Sequence, residues 1–157
     1  MIKLKRVLCP TDFSEFSHKS VHYGCELAAA FGAELHLLHV LQDYNAVAPA
    51  TGESFAVFTD WLPQMTKHAK EEMAKIPGPE WEPRLRVERS TSVGGTVDEI
   101  VKYAKAHDID LIVQSTHGRT GLSHFLMGSV AESIVRYAPC PVLTVRHPEH
   151  EFVDPEK

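Results

Sequence analysis

Val7-Leu8-Cys9-Pro10-Thr11-Asp12-Phe13-Ser14 is the stretch whose reading decides the fold. Its first three residues make a short, unbroken apolar run, the pattern of a strand covered on both faces. Pro10, Thr11 and Asp12 are turn residues. Ser14 then stands where it can cap a helix in which Val21, Cys25 and Ala28 recur at i, i+4 and i+7, until Gly32 ends it. A buried strand thus runs through a polar turn straight into an amphipathic helix.

The same alternation continues outward. Further strands are expected at Leu35 to Val40, Leu85 to Arg89, Asp110 to Val113 and Val142 to Val145. Leu85 and Val87 alternate with Arg86 and Glu88, so this third strand reads as an edge with one wet face. A second helix is expected from Asp60 to Ile76, with Leu62, Met65, Ala69 and Met73 on one stripe and Pro77-Gly78-Pro79 as its stop. Thr96 with Glu99, and Ser129 with Glu132, have the spacing of capping boxes that would open two more helices; Pro139 closes the last. The order β-α-β-α-β-α-β-α-β implies one α/β domain, an open five-stranded parallel sheet with helices on both faces. Right-handed crossovers leave few arrangements, and 3-2-1-4-5 is the simplest that puts the third strand at an edge. The connection from Gln42 to Thr59 is long and patternless, as a flap or binding loop would be. The end of the chain, 147–157, reads as a polar tail beyond a domain spanning 1–146.

Composition limits what such a domain can do. The chain has 157 residues, 43% of them hydrophobic. A domain of that size removes about 70% of its unfolded surface from water, so it needs no disulfide or structural metal. Asp and Glu number 21 against 16 Lys and Arg, a net charge of -5. That balance opposes a general nucleic-acid binder and a polybasic membrane-surface protein alike. No apolar run approaches the ~20 residues of a membrane span. Lys3, Lys5 and Arg6 are followed by Pro10-Thr11-Asp12 and not by the apolar stretch of a signal peptide. Cys9, Cys25 and Cys140 form no C-x-x-C pair and read as small buried hydrophobes. A soluble, cytoplasmic protein is expected.

In a sheet of this order ligands bind beyond the carboxyl ends of strands 1 and 4, where the winding reverses. Two polar segments leave those ends: Pro10-Thr11-Asp12, and a loop from Ser115 through His117, Gly118, Arg119 and Gly121. The second runs into Gly128-Ser129-Val130 at a helix start, where free N–H groups and the positive dipole end favour anions. Gly118 and Gly121 give the loop freedom to curl its amides around phosphate oxygens, and Arg119 is a mobile cation. Asp12 repels phosphate but can accept a hydrogen bond from a base or a sugar. On spacing alone these are a nucleoside end and a phosphate end, although the same glycines also suit ordinary turns and Ser129 a plain helix cap.

These residues resemble the universal stress protein family. Ser115, Gly118 and, nine residues further, Gly128-Ser129 are similar to its nucleotide signature G-x2-G-x9-G-[S/T]. The resemblance runs from about Lys3 to Arg146 and takes in Val7 to Ser14, Glu34 to Val40, and Ala138 to Val145. It implies the 3-2-1-4-5 sheet of the adenine nucleotide alpha hydrolase-like kind, a homodimer, and in one branch bound ATP or another adenine nucleotide, with Mg2+ as its accompanying ion. By the match, Asp12 and Val40 would contact the nucleoside, and Pro10 and Thr11 would shape that pocket. Ser115, Gly118, Gly128, Ser129 and Val130 would line ribose and phosphates. One departure stands out: Ser115 replaces the signature's first glycine. If the backbone there needs a positive φ, serine is strained; if φ is ordinary, its hydroxyl becomes an extra donor.

Other signals lead less far. His18 and His22 lie one helical turn apart beside Glu15 and Glu26, but two ligands rarely hold a metal. His36 and His39 point to opposite faces of a strand and cannot chelate together. No P-loop, nucleophile elbow or H-E-x-x-H motif is present, and near the phosphate loop only His117, Ser123 and His124 offer acid-base chemistry. The expectation is a nucleotide-binding stress-response module, with a nucleotide-free interaction dimer or a slow ATP-hydrolysing enzyme as alternatives. The last strand, Pro141 to Arg146, is an apolar edge that invites pairing with a second copy. The sequence carries no name for a further protein partner.

Overall fold

A computed structural model of the chain describes residues 1–42, 52–116 and 127–146, with backbone alone over 52–60. Five strands, β1 (Arg6–Pro10), β2 (Glu34–Gln42), β3 (Val87–Gly94), β4 (Leu111–Ser115) and β5 (Val142–Val145), alternate with four helices. These are α1 (Glu15–Phe31), α2 (Gly52–Ala74), α3 (Thr96–Ala106) and α4 (Ser129–Tyr137). The sheet is parallel throughout, in the order β3-β2-β1-β4-β5. This is the architecture expected above.

The period-two alternation of strand side chains divides the core. Val7 and Cys9 of β1, Leu35 and Leu37 of β2, and Val113 of β4 pack under Val21 and Cys25 of α1 and Met73 of α2. Leu8, Leu38 and Ile112 face the other way, under Ile100 and Ala104 of α3 and Ile134 of α4. Each fully buried Leu or Ile contributes about 2 kcal/mol, so both layers are stabilised mainly by these few positions. α1 lies close on β1, where a Cβ at Gly24 would overlap Cys9 Sγ. The central strands being dry on both faces, β1 needs no alternation to be recognised.

Several boundaries differ from the sequence reading. α2 begins at Gly52 instead of Asp60 and ends at Ala74 instead of Ile76. Pro63 lies inside it, where it has no N–H to donate to the helix ladder. The long connection therefore shrinks: Gln42 is paired to Gly94 in the sheet and Gly52 to Thr59 are helical, while 43–51 lie outside the described residues. β3 is displaced toward its C-terminus, because its Ser90-Thr91-Ser92 segment is held by backbone pairing along β2 that hydropathy does not register. Neither expected capping box forms. Gly95 and Gly128 take the cap positions in extended conformation, with ψ of 125° and 148°, and move Thr96 and Ser129 into the first helical turn. Glu99 and Glu132 turn outward instead, to Lys102 at 3.4 Å and Arg136 at 3.2 Å. The tail, 147–157, lies outside the described residues.

Candidate functional site

β1 and β4 are neighbours, and the register Leu8↔Ile112, carried to the carboxyl ends, sets Thr11 level with Ser115. Both loops expected to bind ligand therefore leave the sheet side by side, at the point where the winding reverses.

The β1–α1 turn is held by local hydrogen bonds. The Thr11 N–H donates to Leu38 O at 2.9 Å, which extends the ladder one residue past β1. The Ser17 hydroxyl donates to Ser14 O, so its oxygen takes the Thr11 hydroxyl proton at 3.1 Å. Thr11 Oγ1 in turn accepts the Phe13 N–H. Asp12 Oδ1 accepts both the N–H and the hydroxyl of Ser14, at 3.0 and 2.6 Å. Ser14 then caps α1 by accepting from Ser17 N–H. One serine thus fixes a carboxylate at the crevice and starts the helix beneath it. Phe13 sits at φ 64°, and its ring packs on His39 at a centroid distance of 4.3 Å. His39 Nδ1 lies 2.7 Å from Thr11 O and is the donor, since a carbonyl oxygen only accepts.

The phosphate end is built on β4 and α4. Ser115, the last residue of β4, pairs with Val145. Among the described residues only Phe13 and Asp108 are non-glycine positions of positive φ. Ser115 is therefore free of the positive-φ strain that would demand glycine of the backbone here. Gly128 N–H donates to Thr116 O at 2.9 Å, which brings the start of α4 against the end of β4. A Cβ at Gly128 would stand 3.1 Å from that same carbonyl, so here the missing side chain is used. The first bond of the helix ladder is Glu132 N–H to Gly128 O, and Gly128 at the cap has no side chain to bond the amides of Ser129, Val130 and Ala131 ahead of it. Three N–H groups and the positive end of α4 face the crevice edge, an arrangement that stabilises negative charge.

The structure thus places Pro10, Thr11, Asp12, Ser115, Gly128, Ser129 and Val130 along one edge, with Val40 half-buried on the α3 face of β2. His117, Gly118, Arg119 and Gly121 lie outside the described residues. Three contributors were missed from sequence. Phe13 is one, and His39, which contacts Thr11 and Phe13 on either side of Asp12, is the second. Gln114, buried in β4, donates to Ala131 O at 2.9 Å and so pins the first turn of α4. Only Gln114 left a trace, a polar residue inside the apolar fourth strand. Among the described residues no group of three or more His, Cys, Asp or Glu side chains is arranged to hold a metal ion, and His22 packs edge-on against Trp81 instead.

The chain matches the model of the universal stress protein family over residues 3–146. It is 34% identical over 148 residues to universal stress protein MJ0531 of Methanocaldococcus jannaschii, which covers 94% of this chain and 85% of that one. It is 31% identical over 144 residues to the universal stress protein of Methanothermobacter thermautotrophicus, covering 90% and 95% of the two chains. Among solved structures, universal stress protein UspA of Lactobacillus plantarum superposes with a TM-score of 0.82 at 26% identity, over 93% of this chain and 100% of that one. More distant members were solved in complex with cAMP, at 22% identity, and, from Archaeoglobus fulgidus, with dAMP, at 19%. At those identities they speak for the fold alone.

Proposed function

Since this chain belongs to the universal stress protein family, we propose that it binds ATP or a related adenine nucleotide in the crevice beyond β1 and β4. The observation that carries this reading is the pairing of two unlike ends on one edge. A fixed carboxylate, Asp12, offers an acceptor to a base or ribose, and the first-turn amides of Ser129, Val130 and Ala131 offer donors to phosphate oxygens. Pro10, Thr11 and Val40 shape the nucleoside side; Ser115 adds its hydroxyl, and Gly128 keeps the phosphate side open. His117, Gly118 and Arg119 follow Ser115 in sequence and complete the phosphate loop, with Mg2+ arriving on the nucleotide.

Binding, and not turnover, is the activity proposed. Backbone amides and hydroxyls hold charge but activate no water, whereas phosphoryl transfer requires a base or metal carboxylates beside the phosphates. The domain, residues 1–146 with the tail 147–157 appended, acts as a cytoplasmic homodimer joined through β5 and its flanks, Pro141 to Arg146. Nucleotide occupancy changes the surface that it offers to a further protein in the stress response.

The test is to purify the full chain rapidly, denature it, and identify released small molecules by mass spectrometry, together with melting curves in millimolar ATP. An adenine nucleotide near one per chain, or a clear ATP-induced rise in melting temperature, is expected. A clean protein whose melting is indifferent to ATP, ADP and AMP overturns the reading.

A further inference from the structure

We propose that His39 is a positioning residue for nucleotide binding: from β2 it clamps the loop that carries Asp12. His39 is 7% exposed and lies on the α1 face of the sheet, where it makes two contacts to residues that flank Asp12. On one side Nδ1–H donates to Thr11 O at 2.7 Å. On the other its ring packs on Phe13 at 4.3 Å, with 30° between the planes. Phe13 is the residue held at φ 64°, a left-handed conformation that is unfavourable for a residue carrying a side chain. Such a backbone persists only where its surroundings fix it, and the His39 ring is part of what fixes it.

Thr11 is consequently tied to β2 through both of its peptide groups, its N–H to Leu38 O and its C=O to His39. Asp12 has no freedom to swing with its neighbours, and its Oδ1 is already turned to Ser14. A ligand that meets Asp12 meets a preorganised acceptor and does not have to order the loop on binding. The clamp rests on the nucleotide reading above for its purpose, but not for its existence.

The experiment compares the full-length wild type with His39→Leu and His39→Asn. Asparagine carries an amide N–H one bond beyond Cγ, where Nδ1 of histidine lies, so it keeps the donor and loses the ring. Leucine keeps apolar bulk and loses the donor. ATP affinity is measured by calorimetry, and exchange of the Phe13 and Ser14 amides by NMR, with Leu37 and Ile112 as core references. His39→Leu is expected to weaken ATP about tenfold or more, and His39→Asn, which restores the donor but not the ring, to recover part of that loss. The Phe13 and Ser14 amides should exchange about tenfold faster in His39→Leu than in His39→Asn, while the core references agree. A general packing role predicts equal damage from both variants, and that result overturns the proposal, as does ATP binding unaffected by His39→Leu. If the wild type itself binds no ATP, the nucleotide reading fails, and the exchange ratio alone then decides the clamp: equal loop exchange in all three proteins refutes it.

Discussion

Ser115 and Gly128 are both small residues at the phosphate end, yet they are small for different reasons. Ser115 ends β4 in ordinary strand conformation, so a serine there adds a hydroxyl without backbone strain. Ser115→Gly should therefore change ATP affinity by less than about threefold in calorimetry; a gain of tenfold or more would mean that the hydroxyl crowds the ligand. Gly128 instead lies under Thr116 O, and only there does the absence of Cβ let α4 come close to β4. Ser14 has a double role, as the cap of α1 and the partner of Asp12 Oδ1. Ser14→Ala should cost about 1 kcal/mol in urea unfolding, the usual loss of a helix cap, and should lower ATP affinity as well. A variant that loses stability but keeps full affinity would separate the two roles and remove Asp12 from binding.

At the scale of elements, β5 is the exposed edge. Pro141 O and Val145 O accept from β4, so the alternation of strand backbone turns the N–H and C=O of Thr144 outward. If the chain dimerises through β5 as proposed, Thr144→Pro, which removes an outward donor while leaving the β4 ladder intact, should give a monomer in light scattering where the wild type gives a dimer. An unchanged dimer would show that the copies meet elsewhere. The elements also show where the sequence was legible. Val7-Leu8-Cys9 and the α1 stripe of Val21, Cys25 and Ala28 are governed by local period and burial, so they read directly and with them the sheet order. Thr96 and Ser129 misled because a glycine one residue earlier can also take the cap position, and the extended conformation of Gly95 and Gly128 decided for them. The site divides in the same way. Turn chemistry made Asp12 and Gly128 visible, while His39 meets Thr11 and Phe13 only after β1 and β2 have paired.

The molecule as a whole carries an acid-sensitive point away from the crevice. His36 stands near the amino end of β2, bonded through Nδ1 to Tyr103 OH at 3.0 Å, with the His107 ring and Glu34 close by. Burial holds its pKa below the ordinary 6.5, against the opposing pull of Glu34 and Glu88. The folded state therefore resists the proton that the unfolded chain accepts, and stability declines as pH falls through and below 6.5 while staying level above it. Urea midpoints taken from about pH 7.5 to 5 should fall, and His36→Asn, which keeps a hydrogen-bonding group toward Tyr103, should flatten the decline. An identical slope in the variant would assign the effect to other groups. The central claim concerns the opposite edge of the sheet, where a fixed carboxylate and the first-turn amides of α4 come together. Calorimetric titration of ATP into the wild type and into Gly128→Val tests it most directly. One saturable site per chain in the wild type, weakened about tenfold or more in a Gly128→Val protein that remains folded, is the predicted result. No binding to the wild type, or equal binding to both proteins, would contradict it.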